Sequence, residues 1–423
     1  MDSRSAQGYL AGMTTAMTPD RPAVRFLDRT TPPHILTLVI LSGVSALSMN
    51  IFLPSLPAMA EFFGVPYAVM QLSVPLYLLL SGVLQLVLGP LSDRYGRRPV
   101  MLVACALFVV ATIGTLLATS AAAFLAFRIA QAVIATGFAL SRAVVRDMVP
   151  DAQAASMIGY VTMGMALVPM IGPMIGGALD EAFGWQASFV FLGLCGIAVG
   201  LLVWADLGET ATLRQTSLGA QFREYPALFA SRRFWGYAIC SAASSGAFFS
   251  FLGGAPFVGS EIYGLSPATL GIIFGAPAVG YVAGNYLAGR YSVRIGLTRM
   301  VLIGSVILCG GLGLLLILTL VGLGGPATFF GLVTLVGLGN GMTLPNATAG
   351  MMSVRHDLAG SASGLGGALT IAGGAALAAL AGVVLQPGGT EVPLIVVMLA
   401  SAVVSLVAIR AVIARNRALG IAV

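Results

Sequence analysis

The chain has 423 residues, 58% of them hydrophobic and 9% charged, with 21 basic against 15 acidic residues and a mean hydropathy of +0.97. A water-soluble domain of this length needs far more charge to cover its surface, so a soluble protein is excluded. Apolar runs such as 62–92, 152–179, 234–260, 262–289 and 358–390 each exceed the roughly 20 residues of a membrane helix and lack the alternation of a transmembrane barrel strand.

The first 33 residues are polar, lack the compact apolar core of a signal peptide, and read as a disordered tail over 1–33. Breaking the remaining runs at charges and turn residues predicts twelve spans. They are His34–Ala60, Tyr67–Ser92, Pro99–Ala118, Ala121–Val145, Ala154–Leu179 and Gln186–Ala205, then Trp235–Val258, Pro267–Tyr291, Thr298–Leu323, Ala327–Ser353, Leu358–Leu385 and Val392–Ala414. Within the long run 300–354, the stretch Gly324-Gly325-Pro326 marks the turn. The expected fold class is therefore an all-α polytopic membrane protein.

Orientation follows from arginine, since every basic residue is Arg. With the N-terminus inside, Arg residues occupy both tails and every cytoplasmic loop. The external loops carry only acids: Glu61, Asp180, Glu181, Glu261 and Glu391. The positive-inside rule thus places both termini in the cytoplasm. The pI of 9.4 marks topology and not a nucleic-acid surface. Four cysteines (Cys105, Cys195, Cys240, Cys309) are scattered through apolar runs, which argues for packing over a disulfide or metal site.

An internal repeat appears at an offset of two hundred. Glu61 and Gly64 recur as Glu261 and Gly264 after the first span of each half. Gly89, Arg94 and Gly96 recur as Gly289, Arg294 and Gly296 after the second. This predicts two pseudo-symmetric six-helix bundles, 34–206 and 234–414, joined by a cytoplasmic linker 207–233 and followed by a tail 415–423. The second copy keeps Arg294 and both glycines, but Val293 stands where Asp93 does.

The first copy lies in Gly89-Pro-Leu-Ser-Asp-Arg-Tyr-Gly-Arg-Arg-Pro-Val-Met-Leu102, which resembles the loop between helices 2 and 3 of the major facilitator superfamily. Further motifs resemble its drug:proton antiporter branch, the bicyclomycin- and chloramphenicol-resistance exporters. They are Arg128-Ile-Ala-Gln131, Val145-Arg-Asp147, Gly172-Pro-Met-Ile-Gly-Gly177, Leu207-Gly-Glu-Thr210, Pro345-Asn346-Ala347 and Gly360-Ser-Ala-Ser363. The resemblance implies a transporter of the bacterial inner membrane working by alternating access. It also implies a conformational latch of Gly89, Asp93, Arg94, Gly96, Arg97 and Asp147. In that latch Asp93 faces the N-terminus of helix 11, and Arg97 pairs with Asp147. Gly172, Pro173, Gly176 and Gly177 form the antiporter motif, where small residues permit tight packing and the proline is expected to kink the helix.

Arg128 is the charge placed well inside a span, about 10 Å from its external end at 1.5 Å per residue. Such a residue is expected to face a cavity. Asn50 lies at similar depth where relatives of this branch often carry an Asp. An amide has no titratable proton, so the acid switch cannot operate there. Asn50, Arg128, Tyr77, Phe248 and Asn346 are the candidate substrate-binding residues. No paired carboxylates, metal cluster, Ser–His pair or P-loop points to an enzyme or an ATP-driven pump. The expected function is export of small drug-like or metabolite molecules by a monomer in the bilayer. No cofactor is expected, and the proton gradient is the implied energy source. The alternative is a proton-independent facilitator or importer of a small anionic metabolite.

Overall fold

The computed structural model describes residues 24–149, 157, 161, 168, 171–211, 226, 228–355 and 358–420. Eleven helices among the described residues are long and apolar enough to cross a membrane. They are α1 (Ile35–Phe62), α2 (Tyr67–Gln71 continuing as Pro75–Tyr95), α3 (Arg97–Leu117), α4 (Ala121–Met148), α6 (Gln186–Asp206), α7 (Arg232–Ile262), α8 (Pro267–Ile273 continuing as Ala276–Ile295), α9 (Leu297–Leu323), α10 (Pro326–Met352), α11 (Ala359–Val384) and α12 (Val392–Ala418). The fifth span, α5, is described as helix over 171–183. Every predicted span therefore has a helical counterpart, and Gly324-Gly325 separates α9 from α10 with Pro326 opening the latter.

Local chemistry sets the ends. Ser120, Ser231 and Ser266 each accept a backbone N–H at the start of α4, α7 and α8, replacing the water that an exposed helix end would use. Glycine terminates α2 and α8: Gly96 has φ 97° and ψ 148°, and Gly296 has φ 94° and ψ 144°. Gly64 and Gly264 share φ 61° and 64°. The repeat read from the sequence is thus a repeat of backbone conformation, at positions where a Cβ would be strained. Val293, in place of the first copy's acid, is 94% exposed.

Both α2 and α8 are broken near the same point. The breaks fall at 72–74 and 274–275, each closed by a proline within the next helical turn. The periodicity of apolar residues does not register such a break, because i→i−3 turns preserve the direction of the chain.

One end of the bundle carries the arginines and is here called the basic end; the other carries Glu61, Asp180, Glu181 and Glu261 and is called the acidic end. Three hydrogen bonds between described residues of the two halves lie at the acidic end. Tyr67 Oη donates to Gly253 O at 2.6 Å, Gln71 Nε2 donates to Ala378 O at 2.6 Å, and Ala268 N donates to Glu181 Oε2 at 3.2 Å. Above them a vestibule of about 540 Å³ is lined from both halves, with Glu61, Asp180 and Glu261 in its wall.

The segment before α1 departs from expectation. Residues 24–33 are docked, not a free tail, because Asp206 holds them. This carboxylate is fully buried at the end of α6 and accepts from Leu27 N at 2.7 Å, His34 N at 2.9 Å and Thr37 Oγ1 at 2.6 Å. Gly208 packs under the carbonyls of Arg29 and Thr31, leaving no room for a side chain. His34 caps α1 through Nδ1 and meets Phe26 edge-to-face. Residues 1–23 lie outside the described residues.

Asp206→Ala leaves two backbone N–H groups and a hydroxyl without their acceptor, at about 1–3 kcal/mol each for a buried unsatisfied group. The expected result in detergent is a melting temperature lower by about 5 °C or more, with Asp206→Asn less affected because one acceptor oxygen remains. A thermal unfolding series of the two variants tests this.

Candidate functional site

Arg128 anchors the interior of the first half. It is fully buried, so it does not open onto a cavity as its position in the span implied. Its neighbours take the place of a counter-ion. Nη2 donates to Ser48 O at 2.8 Å; Nη1 donates to Gln131 Oε1 at 2.8 Å and to Ser48 Oγ at 3.3 Å. The guanidinium lies 4.1 Å from the ring centroid of Tyr77 and 4.5 Å from that of Phe52. Cation–π contacts of this kind contribute about 0.5–2 kcal/mol each when desolvated. Gln131 passes the network on by donating to Thr112 Oγ1 at 2.8 Å, and Thr112 donates to Phe108 O at 2.7 Å. Among the described residues no carboxylate pairs with Arg128.

Helix geometry explains which predicted partners meet. Ser48 and Phe52 are one turn apart on α1 and share the face that receives Arg128. Asn50, two residues from each, falls on another face and packs its Cβ against Gly172 of α5. Its Nδ2 donates to Ala46 O at 3.0 Å, while Oδ1 is buried without a hydrogen bond among the described residues. Similar depth therefore did not bring Asn50 and Arg128 together. Phe52 was not foreseen, although its i+4 spacing from Ser48 was a usable signal.

In the second half Phe248, on α7, stacks on Phe251 with centroids 6.5 Å apart, at the edge of a cluster with Phe274, Phe329 and Phe330. Asn346, on α10 after Pro345, is 3% exposed and donates to Met342 O at 2.8 Å. Asn340 accepts from Ser244 at 2.5 Å. These groups bond within their own half.

The latch residues are assembled at the basic end. Asp93 Oδ1 lies 2.5 Å from Arg97 Nη2, and Asp147 Oδ2 lies 3.1 Å from Arg97 Nε. Arg97 Nη1 also donates to Ser92 Oγ. Arg97 therefore ties α2 to α4. Gly89 lies within the helical turn before Asp93. Arg94 is not part of this network; it points outward over the Tyr95 ring at 5.4 Å. The side chains at the start of α11, where the resemblance sets the partner of Asp93, lie outside the described residues.

A further acid completes the turn. Glu209, in the Leu207-Gly-Glu-Thr210 motif, accepts from Arg97 N at 2.8 Å and Arg98 N at 3.3 Å, and from Ala211 N at 3.0 Å. It occupies the start of α3, where unpaired N–H groups and the helix dipole favour a carboxylate. A Cβ on Gly96 would collide with the Glu209 carboxylate, so this glycine serves both its φ and its neighbour. Thr210 Oγ1 extends the link by donating to Asp147 at 3.4 Å.

The glycines of the antiporter motif work in two directions. Gly172 and Gly176 face α1, where the Ile51 carbonyl fills the space a Cβ on Gly176 would need. Gly177 faces α8 of the other half against the Pro267 carbonyl, and the Pro173 carbonyl meets Gly271 in return. Backbone packed on backbone is how helices associate where lipid supplies no hydrophobic drive. The expected kink at Pro173 depends on 162–170, most of which lies outside the described residues.

Gly176→Leu forces α5 away from α1 and is expected to abolish the folded, monodisperse protein. Gly172→Ala, whose Cβ meets only Leu47 at 3.2 Å in its tightest contact, is expected to cost about 1 kcal/mol of overpacking strain. Size-exclusion profiles and melting curves of both variants check this ordering.

Residues 38–379 and 260–420 match the family model described as Major Facilitator Superfamily. A chloramphenicol resistance protein of Pseudomonas aeruginosa is 35% identical over 286 residues, covering 66% of this chain and 68% of the relative. Multidrug resistance protein D of Escherichia coli is 30% identical over 375 residues, 86% of this chain and 92% of that protein. The fold is similar to a bacterial homologue of the human lysosomal transporter Spinster, solved inward-facing and unoccupied, with a TM-score of 0.69 at 16% identity over 90% of this chain and 96% of that one. A peptide transporter solved with sulfate gives 0.71 at 15% identity over 90% and 94%. By family model and by relatives, the chain belongs to the Major Facilitator Superfamily and is a multi-pass secondary transporter of the membrane, not an enzyme.

Proposed function

We propose that the protein exports small drug-like molecules from the cytoplasm by alternating access, with the basic end and both termini on the cytoplasmic side. The observation that carries this reading is the antiporter motif at the seam between halves, Gly177 on Pro267 and Gly271 on Pro173. It coincides with relatives named for chloramphenicol and multidrug resistance. Arg97 with Asp93, Asp147 and Glu209 would hold the α2–α3 turn in one shape while the halves rock. The inner membrane and the proton gradient remain parts of this proposal, as does a monomeric carrier that binds its substrate and protons.

A second reading is favoured by one feature. Asn50 stands where the resembling exporters often carry an acid, and Arg128 is a fully buried cation with no carboxylate partner among the described residues. Such a site suits a neutral polar or anionic molecule and lacks a proton switch, as a proton-independent carrier of a small anion would. Asn50, Arg128 and Tyr77 from the first half, with Phe248 and Asn346 from the second, are the residues we assign to substrate.

Expression in a drug-sensitive bacterium is expected to raise tolerance to chloramphenicol, and Arg128→Ala to abolish that gain. Arg128→Lys is expected to retain less than about a tenth of it, because an ammonium cannot serve the same fork of acceptors and stack between two rings. In proteoliposomes, chloramphenicol flux that follows an imposed pH gradient supports antiport. Flux of benzoate indifferent to that gradient supports the second reading.

A further inference from the structure

The seam between halves at the acidic end is built differently at two repeat-related places. At an offset of two hundred, Gln71 of α2 corresponds to Gly271 of α8. Gly271 lets the backbone of α8 lie on that of α5. Gln71 instead sends a side chain across the seam. It is 1% exposed, donates to Ala378 O of α11 at 2.6 Å, and occupies a notch whose walls are Gly253 of α7 and Gly382 of α11. A Cβ at either glycine would overlap the Gln71 amide. One turn earlier, Tyr67 Oη bonds Gly253 O at 2.6 Å.

The helix that carries both side chains is detached from the rest of its span. The outer piece of α2 is five residues long, Tyr67–Gln71. After it, Leu72 N, Ser73 N and Val74 N bond three residues back, at 3.2, 3.1 and 3.0 Å, and Pro75 has no N–H to give. The α-helical ladder is interrupted at this point, so rotation of the outer piece breaks few of the bonds that hold the inner one.

We infer that Gln71 is the bolt of an outer gate, that the Gly253–Gly382 notch is its socket, and that Tyr67–Gln71 is the leaf that moves. The inference rests on the alternating-access reading. When the bolt is seated, the acidic end is closed over Tyr77 and Arg128, which follow the break in α2 or pack beside it. When it leaves, the amide exchanges a buried carbonyl for vestibule water, a change small enough for a working gate.

The test is the distance between spin labels at Phe183→Cys and Thr390→Cys, exposed positions on opposite halves at this end, with the four native cysteines replaced by alanine. Gln71→Ala is expected to raise the population of the longer distance about threefold to tenfold, the effect of one buried hydrogen bond. Gly382→Ala is expected to do the same by filling the socket. The double variant Gln71→Ala with Gly382→Ala is expected to be no more open than either single one, because the clash needs the amide. A role in packing alone would lower the melting temperature and leave the distances unchanged, and that result overturns the bolt. Additive effects in the double variant overturn the socket. A single distance in every variant, including a Gly177→Leu wedge at the α5–α8 contact, counts against alternating access itself.

Discussion

The architecture depends on backbone meeting backbone along α5. Gly176 rests on the Ile51 carbonyl within its own half, and Gly177 rests on the Pro267 carbonyl of the other. In lipid there is no gain from burying one apolar helix face against another, so contact must come from close packing and polar bonds. A side chain at either glycine would part the helices. The same device recurs between α8 and α10, where Gly280, Gly284, Gly337 and Gly341 lie against facing backbone. Cohesion within a half and contact between halves thus draw on one physical resource, and α5 draws on it from both sides.

Charge is treated with equal economy. Arg97 is shared by Asp93 and Asp147, while its own backbone N–H is taken by Glu209. Asp206 is buried with no cation beside it among the described residues, and is satisfied by three donors. Arg128 has no anion beside it among the described residues, but has carbonyl, amide and hydroxyl acceptors and two ring faces. A lone charge in a low-dielectric interior is tolerated only under such full solvation by the protein. Residues that solvate these charges, such as Ser48, Phe52 and Glu209, are therefore as much a part of the mechanism's frame as the charges themselves.

The spans, the repeat and the latch turn were legible because they rest on local rules. Long apolar runs, arginine placement and glycine at positive φ leave direct marks in a sequence. The repeat could be read at Gly96 and Gly296 before their dihedral angles were known, and Val293 already showed that the second copy lacks its acid. What stayed hidden depends on partners distant in the chain. Asp206 looked like the charged end of a span, yet it captures a segment more than 170 residues earlier. Gln71 looked like one more polar residue in an apolar run, because its socket is made of two glycines on other helices. Asn50 and Arg128 were grouped by depth, whereas the azimuth around α1 separates them.

By itself the sequence determined the all-helical membrane class, where the apolar spans lie and the family to which its motifs point. These follow from transfer free energy, topology and turn chemistry, all of which act over a few neighbouring residues. Only the tertiary structure decided that Arg128 is enclosed between Tyr77 and Phe52, that Glu209 caps α3, and that Gln71 crosses the seam. The reason is that a helix conceals which of its faces meets a neighbour until packing sets its rotation, and polar groups in a membrane interior act through whichever face that turns out to be.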